Sequence, residues 1–214
     1  MPHIGFPALA LLAAFFVVPA LSAQPANTGA PAATAAGALE LATFAAGCFW
    51  CTEADFDKVA GVVETTSGYM GGKTPQPTYK QVSAGGTGHA EVVQLRYDPT
   101  KVTYKQLLEV YWRNVDPLDK GGQFCDRGEQ YRPAIFYHNE EQKRLAEESR
   151  SELEKSKGFK QPIAVEITAA STFTKAEDYH QDYYLKQPIR YAIYRHGCGR
   201  DARLEALWGS PKSH

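Results

Sequence analysis

The chain has 214 residues, 43% of them hydrophobic, which is enough apolar material for one domain of ordinary size with a real core. Its 23 lysines and arginines nearly balance 24 aspartates and glutamates, and the formal net charge is -1. This balance gives no electrostatic reason to expect binding to nucleic acid or to an anionic membrane surface.

The N-terminal segment predicts export. An unbroken apolar run over residues 8–18 is followed by Pro19 and by Leu21-Ser22-Ala23, a pattern typical of a secretory signal peptide. The run is too short for a membrane span. We therefore expect cleavage after Ala23, a periplasmic protein and no stable membrane association. The alternative is that the segment is retained as an N-terminal anchor.

Residues 24–38 are mostly Ala, Pro, Thr and Gly and have little to bury, which predicts a disordered linker. The predicted organisation is thus a signal peptide over 1–23, a linker over 24–38 and one folded domain over 39–214.

Strand and helix patterns alternate through the first half of that domain. Runs of β-branched or alternating apolar residues predict strands, amphipathic spacing predicts helices, and glycine- and proline-rich stretches predict loops. In chain order these are a strand over 40–45, a helix over 48–58, a strand over 61–66, a long loop over 68–88 and a strand over 89–97.

Capping signatures mark the helices of the second half. Thr103 with Gln106, and Thr174 with Glu177, form capping boxes, and Asn139 is a further N-cap. In chain order the predicted elements are a helix over 103–112, a loop over 116–130, a strand over 133–137, a helix over 139–157, a strand over 163–167 and helices over 180–185 and 202–207.

The order of these elements predicts an α+β fold. The helices near Cys48 and Thr103 separate strands as they do in a split βαβ unit. We expect a mixed β-sheet with flanking helices, a ferredoxin-like βαββαβ core and a long irregular C-terminal tail.

The chemically most informative segment is Gly47-Cys48-Phe49-Trp50-Cys51. Cys48 stands where a helix begins, and backbone N–H groups and the helix dipole favour a thiolate there, so we predict a thiol pKa below the free value of roughly 8.5. Phe49 and Trp50 offer an apolar slot for a methyl group, although ordinary core packing also uses such residues. Glu91 would be a general acid if burial raises its pKa.

Several interpretations of this C-x-x-C segment compete. A thiol–disulfide oxidoreductase using Cys48 and Cys51 fits the preceding strand and the following helix. A zinc site is disfavoured because Cys125 and Cys198 each lack a second cysteine at ligand spacing. A non-catalytic exported binding protein belongs to a different class again. Four cysteines in an exported chain also permit structural disulfides, but the closeness of the first pair favours redox chemistry.

A series of separated motifs, specific when taken together, resembles the A-type methionine sulfoxide reductases over residues 44–194. The motifs are Gly47-Cys48-Phe49-Trp50, Pro77-Thr78-Tyr79, Thr87-Gly88-His89-Ala90-Glu91, Tyr97-Asp98-Pro99, Asp116-Pro117, Asp126 and Gln130-Tyr131-Arg132.

The resemblance implies an enzyme that reduces the S epimer of methionine sulfoxide, both free and in oxidised proteins, with no metal and no bound organic cofactor. It makes Cys48 the nucleophile, Phe49 and Trp50 the methyl pocket, and Glu91 the acid that protonates the sulfoxide oxygen.

The resemblance also assigns residues to the oxygen side of the site. It implies that Tyr79 and Tyr131 donate hydroxyl hydrogen bonds near the sulfoxide oxygen and that Asp126 gives polar support. It further implies that Cys48 becomes a sulfenic acid, that a second cysteine converts it to a disulfide, and that a thioredoxin-like donor reduces this disulfide.

The second cysteine is where this chain departs from part of the family. Many relatives have no cysteine at the position of Cys51, and many use cysteines in a flexible tail. We expect Cys198, which lies between two glycines, to resolve the sulfenic acid. Cys51 is the rival and could act before Cys198, and Cys125 beside Asp126 is a further alternative.

Overall fold

The computed structural model describes residues 1–3, 5 and 37–209. The predicted signal peptide and most of the predicted linker lie outside the described residues. The chain divides into two units, 1–34 and 35–214, and the fold reported below is that of the second. Within the described residues, no helix has the length and apolar character needed to cross a bilayer.

Strands and helices alternate along residues 37–209. The strands are β1 (Glu40–Ala45), β2 (Val62–Met70), β3 (Ala90–Tyr97), β4 (Gly122–Gln123), β5 (Asp126–Arg127), β6 (Ala134–Tyr137), β7 (Glu166–Ala169) and β8 (Thr174–Lys175). The helices are α1 (Phe49–Phe56), α2 (Tyr79–Ser83), α3 (Tyr104–Arg113), α4 (Glu140–Lys157), α5 (Tyr183–Lys186), α6 (Pro188–Gly197) and α7 (Arg200–Trp208), with a 3-10 turn over Glu129–Tyr131.

Six of these strands form one mixed sheet in the order β7-β6-β1-β3-β2-β8. Strands β6 and β7 are parallel, and the other neighbours are antiparallel. Helix α1 connects β1 to β2, and α3 connects β3 towards β6, so the four central strands have the ferredoxin-like arrangement. The predicted α+β fold, a mixed sheet with flanking helices, is confirmed.

The main core joins β1 and β3 to α1 and α3. The ring of Phe44 stacks on Phe56, with centroids 5.0 Å apart, and on Tyr111 at 5.2 Å. Full burial of a side chain such as Phe44 contributes about 1.5–3 kcal/mol. The Tyr111 hydroxyl also donates a hydrogen bond to the carbonyl of Ala45, 3.1 Å away. Core packing therefore fixes the end of β1, from which the C-x-x-C segment starts.

Local capping signals predicted the helix starts correctly where no tertiary partner bound the same side chains. Thr103 accepts from the backbone of Gln106 in a capping box, and the Asn139 side chain accepts from the N–H of Gln142. The same signature at Thr78 begins α2, inside the region expected to be a loop.

The capping box predicted at Thr174 and Glu177 is wrong, and the helix expected over 180–185 is present only as the short α5, Tyr183–Lys186. Thr174 lies in β8, where it pairs with Tyr69 of β2. The Glu177 carboxylate instead accepts hydrogen bonds from the Tyr79 backbone N–H at 2.8 Å and from the Tyr69 hydroxyl at 3.0 Å. Tertiary partners therefore override the local capping pattern.

The C-terminal tail is more regular than the sequence indicated. It forms α6 and α7 rather than an irregular segment with one short helix. The reason is a set of long-range bonds: the buried Arg200 guanidinium donates to the carbonyls of Ala46 at 3.1 Å and Asn114 at 2.8 Å. These bonds hold the tail against the turn that precedes Cys48.

Candidate active site

Cys48 lies at the turn between β1 and α1. It is the N-cap residue of α1, and the preceding Gly47 has a φ of +85°. A side chain at Gly47 would place its Cβ 2.5 Å from that of Gln123, so glycine is required there for space as well as for conformation. The thiols of Cys48 and Cys51 are both free and both buried.

The two neighbouring thiols are hydrogen-bonded to each other in a low-dielectric environment. Burial raises the pKa of Cys48 well above its usual value, and interactions with Cys51 and Glu91 raise it further. The hydrogen bond from Cys48 lowers the pKa of Cys51 to about 7, and the charge of Arg200 lowers it as well. Of the two thiols, Cys51 therefore ionises more readily than Cys48.

The predicted low pKa of Cys48 is accordingly wrong for this state. Helix α1 has only eight residues, and Cys48 at its start is 6% exposed. Loss of hydration at this position outweighs the favourable helix dipole.

Glu91 projects from β3 beside this thiol pair. It is 2% exposed, and its Oε2 accepts a hydrogen bond from the backbone N–H of Phe49 at 3.1 Å. Burial raises the pKa of Glu91 to about 8. The carboxyl group is therefore protonated at neutral pH, the state that a proton donor needs.

Tyr79 and Tyr131 come from α2 and from the 3-10 turn. Burial raises the pKa of Tyr79 to about 12 and also raises that of Tyr131, and negative charge on Glu91 or Cys48, when either ionises, would raise both further. The structure thus brings both predicted tyrosines to Cys48 and Glu91 as neutral phenols, whose O–H groups are able to donate hydrogen bonds to a substrate.

The two aromatics of the motif have different surroundings. Phe49 is 1% exposed and packs in the core, with its ring centroid 6.0 Å from that of Tyr69. Trp50 is half-buried, stacks on Tyr183 with centroids 3.7 Å apart, and donates from Nε1 to Nδ1 of His180 at 3.0 Å. Trp50 therefore offers a fixed apolar wall that is partly open to solvent, while Phe49 lies in the core on the buried side of the site.

Sequence reasoning missed His180, which lies among these rings. Its ring centroid is 5.0 Å from that of Phe49 and 4.3 Å from that of Tyr79, and burial lowers its pKa to about 4. A neutral imidazole accepts the Trp50 hydrogen bond through its unprotonated nitrogen. The only sequence signal was the helix predicted over 180–185, which gave no reason to assign His180 to the site.

Asp126 follows β4 at the start of β5 and lies against the tail. Its carboxylate accepts a hydrogen bond from the hydroxyl of Tyr194 in α6. The Tyr194 ring stands edge-on to Trp50, with centroids 5.6 Å apart. Tyr194 was not predicted, because no motif contains it and the tail was expected to be irregular.

Cys198 is joined to Cys125 by a disulfide across 73 residues of sequence. Its sulfur lies 3.8 Å from Oδ2 of Asp126. Cys198, expected to resolve the sulfenic acid, is therefore not a free thiol in this structure. Cys51, the rival candidate, is free and hydrogen-bonded to Cys48.

Charged residues from the tail surround Cys51. Arg195 donates to Oδ1 of Asp55 at 2.9 Å, and the guanidinium of Arg200 lies over the ring of Phe124 at 4.6 Å. Both arginines lower the pKa of Cys51. Neither was predicted, since their approach to Cys51 depends on tertiary packing of α6 and α7.

A family model described as peptide methionine sulfoxide reductase matches residues 40–212. The peptide methionine sulfoxide reductase MsrA of Bacillus licheniformis is 54% identical over 170 residues, covering 79% of this chain and 94% of that protein. MsrA of Listeria monocytogenes serotype 4a is 52% identical over 170 residues, covering 79% of this chain and 96% of that protein.

Solved structures are also similar. Reduced Mxr1 from Saccharomyces cerevisiae has a TM-score of 0.67 and 33% identity, covering 71% of this chain and 87% of that one. Methionine sulfoxide reductase A of Corynebacterium diphtheriae has a TM-score of 0.63 and 32% identity, covering 72% of this chain and 77% of that one.

Proposed function

The chain belongs to the peptide methionine sulfoxide reductase family, and we propose that it reduces the S epimer of methionine sulfoxide, free and in oxidised proteins, using electrons from a thioredoxin-like donor. The observation that carries this proposal is the buried Glu91 beside the Cys48 thiol, with a pKa of about 8. A nucleophilic sulfur and a carboxylic acid that is protonated at neutral pH are the two groups that sulfoxide reduction requires.

In the first step Cys48 attacks the sulfoxide sulfur while Glu91 protonates its oxygen. Cys51 has the lower pKa of the pair, and its thiolate takes the Cys48 proton. Tyr79 and Tyr131 donate hydrogen bonds to the oxygen, and Asp126 supports this side of the site. The oxygen is transferred to Cys48, whose sulfur is oxidised by two electrons to a sulfenic acid as the substrate sulfur is reduced.

The methyl group of the substrate is bound by the aromatic side chains. Trp50 is fixed in place by Tyr183 and by its hydrogen bond to His180, and Phe49 lies beneath it in the core. An apolar wall favours the methyl group over the polar oxygen, so it selects one orientation of the sulfoxide. This orientation is the basis of the proposed preference for the S epimer.

Cys51 resolves the sulfenic acid in this proposal. Its sulfur attacks that of Cys48, an S–S bond forms, and the oxygen leaves as water with one proton from each group. Cys51 is favoured because it is free and already hydrogen-bonded to Cys48, whereas Cys198 would first have to be released from Cys125. A donor dithiol then reduces the Cys48–Cys51 disulfide and is itself oxidised.

We further propose that the protein acts after export to the periplasm and repairs oxidised proteins there. The Cys125–Cys198 disulfide supports an oxidising compartment, since such bonds are rare in the cytosol. N-terminal sequencing of the mature protein is expected to begin at Gln24. A cytosolic form that begins at Met1 would contradict this part of the proposal.

The function is tested by incubating the protein with the separate S and R epimers of a methionine sulfoxide peptide and dithiothreitol. We expect methionine from the S epimer and none above background from the R epimer. If the protein instead reduced a protein disulfide and left both sulfoxides intact, the alternative of a thiol–disulfide oxidoreductase using Cys48 and Cys51 would replace this proposal.

A further inference from the structure

We propose that Tyr194 is a further catalytic residue of this reaction, and that the Cys125–Cys198 disulfide positions it. Its hydroxyl donates to Asp126 and lies within hydrogen-bonding reach of the attacking sulfur of Cys48. The inference rests on the proposed function, since it concerns the same nucleophile.

Tyr194 contacts three parts of the site that come from separate segments of the chain. Its hydroxyl donates to the carboxylate of Asp126, and its ring stands at 80° to that of Trp50. The same hydroxyl is a hydrogen-bond partner of Cys48. The Tyr194 side chain thus lies beside the nucleophile Cys48, the aromatic wall formed by Trp50, and Asp126.

The electrostatic effect of Tyr194 on Cys48 is opposite to that of the other neighbours. Burial, Cys51 and Glu91 raise the pKa of the Cys48 thiol, whereas the hydrogen bond with Tyr194 lowers it. The phenol has a single O–H, which it donates to Asp126 while Cys48 is a neutral thiol. When Cys48 becomes a thiolate, and afterwards a sulfenic acid, the O–H turns to the sulfur or its oxygen and stabilises it without carrying charge of its own. Tyr194 therefore assists the form of Cys48 that attacks substrate, in a site that otherwise resists it.

The disulfide lies directly beside this hydrogen bond. Tyr194 and Cys198 are one helical turn apart, since the N–H of Cys198 donates to the carbonyl of Tyr194 at 2.8 Å. Their partners, Asp126 and Cys125, are neighbours in sequence. Two parallel links, one covalent and one a hydrogen bond, thus join the same two segments.

The covalent link fixes the separation of these segments across 73 residues of chain. The Tyr194 hydroxyl is therefore held near Cys48 before substrate binds, and no ordering cost arises during the reaction. This assigns Cys125 and Cys198 a positioning role, distinct from the exchange role of Cys48 and Cys51.

The test is the rate of the first turnover, measured as methionine released when enzyme is in excess over substrate and no reductant is present. Each preparation is first shown to contain the intact Cys125–Cys198 disulfide by a thiol count. We expect Tyr194→Phe to slow this turnover by roughly 10- to 100-fold, as expected for losing one hydrogen bond to a charged group. The pH at which Cys48 is half-alkylated by iodoacetamide should also rise.

Tyr184→Phe is the matched control. The Tyr184 hydroxyl also donates to a carboxylate, Oδ2 of Asp57 at 2.8 Å, but it is not a hydrogen-bond partner of Cys48. The control should keep the first-turnover rate and the alkylation profile of the unmodified protein. A normal rate and profile in Tyr194→Phe, with methionine still released, would overturn the catalytic assignment. Release of no methionine by the unmodified protein would refute the proposed function instead.

The positioning role is tested with Cys125→Ser and Cys198→Ser. Both should slow the first turnover to a similar degree, and Tyr194→Phe combined with Cys198→Ser should be within about twofold of Tyr194→Phe alone, because both changes remove the same contact. If Cys198→Ser kept the first turnover and lost only recycling by thioredoxin, Cys198 would be an exchange cysteine and the positioning role would be refuted. Tyr194→Phe retains the ring against Trp50, so it remains a test even if a cysteine variant misfolds.

Discussion

The two cysteine pairs of this protein differ in almost every physical respect. Cys48 and Cys51 are buried, free and three residues apart at the start of α1. Cys125 is exposed, and it is bonded to the half-buried Cys198 across 73 residues. The first pair is surrounded by groups that shift thiol pKa values, and the second joins two segments of chain. The role of a cysteine here follows from its surroundings more than from flanking glycines.

The largest expected effect is that of changing the nucleophile in the first pair. Cys48→Ser should abolish methionine formation, because a serine hydroxyl is far less acidic and less nucleophilic than a thiol. The assay is methionine release with dithiothreitol, and circular dichroism shows that the variant is folded. Turnover above background in this variant would show that Cys48 is not the nucleophile, and the first pair would then not be the site of the chemistry.

Glu91→Gln tests the acid beside that pair. Glutamine keeps the shape but has no carboxyl proton, so we expect kcat to fall by roughly 10²–10⁴-fold. The unmodified enzyme requires protonated Glu91, so its rate should decline as pH rises through about 8. That decline should disappear in the variant. If Glu91→Gln kept the rate of the unmodified enzyme at every pH, Glu91 would have only a structural role.

Cys51→Ser separates the two stages of the cycle. The first equivalent of methionine should still be released, although more slowly, because Cys51 no longer takes the Cys48 proton. Turnover supported by thioredoxin should fall at least about tenfold, because no thiol remains beside Cys48 to form the disulfide. Dithiothreitol, a small thiol, should restore part of the turnover by reducing the sulfenic acid directly. Full thioredoxin-supported turnover in Cys51→Ser would mean that a cysteine of the second pair resolves the sulfenic acid.

The second pair has its clearest expected effect on stability. Cys125→Ser should lower the free energy of unfolding by about 2–4 kcal/mol, since it releases a long loop in the unfolded chain. Urea unfolding measures this change. Dithiothreitol should destabilise the unmodified protein to a similar level and leave Cys125→Ser unaffected. Equal stability of all three forms would show that the link contributes no constraint.

Much of the fold could be predicted because its signals are local. The caps at Thr103 and Asn139 satisfy backbone groups within three residues, so they act alike in any context. Thr174 carries the same signature but pairs with Tyr69 in the sheet, and Glu177 binds Tyr79. A local pattern fails where a partner that is distant in sequence satisfies the same groups.

The site shows the same division. The motif residues Cys48 and Glu91 could be placed together from the family resemblance. The direction in which the pKa of Cys48 is shifted could not be predicted, because it depends on burial, which the sequence does not show. Tyr194 and the Cys125–Cys198 bond were also missed, since they depend on how the tail helices pack against a segment some 70 residues earlier.

The most direct test of the division between the two pairs is a disulfide map after one turnover. The protein is given one equivalent of sulfoxide substrate without reductant, its remaining thiols are alkylated, and its peptides are identified by mass spectrometry. We expect a new Cys48–Cys51 disulfide with the Cys125–Cys198 disulfide unchanged. A Cys48–Cys198 disulfide, with Cys125 alkylated, would contradict the assignment of exchange to the first pair and of structure to the second.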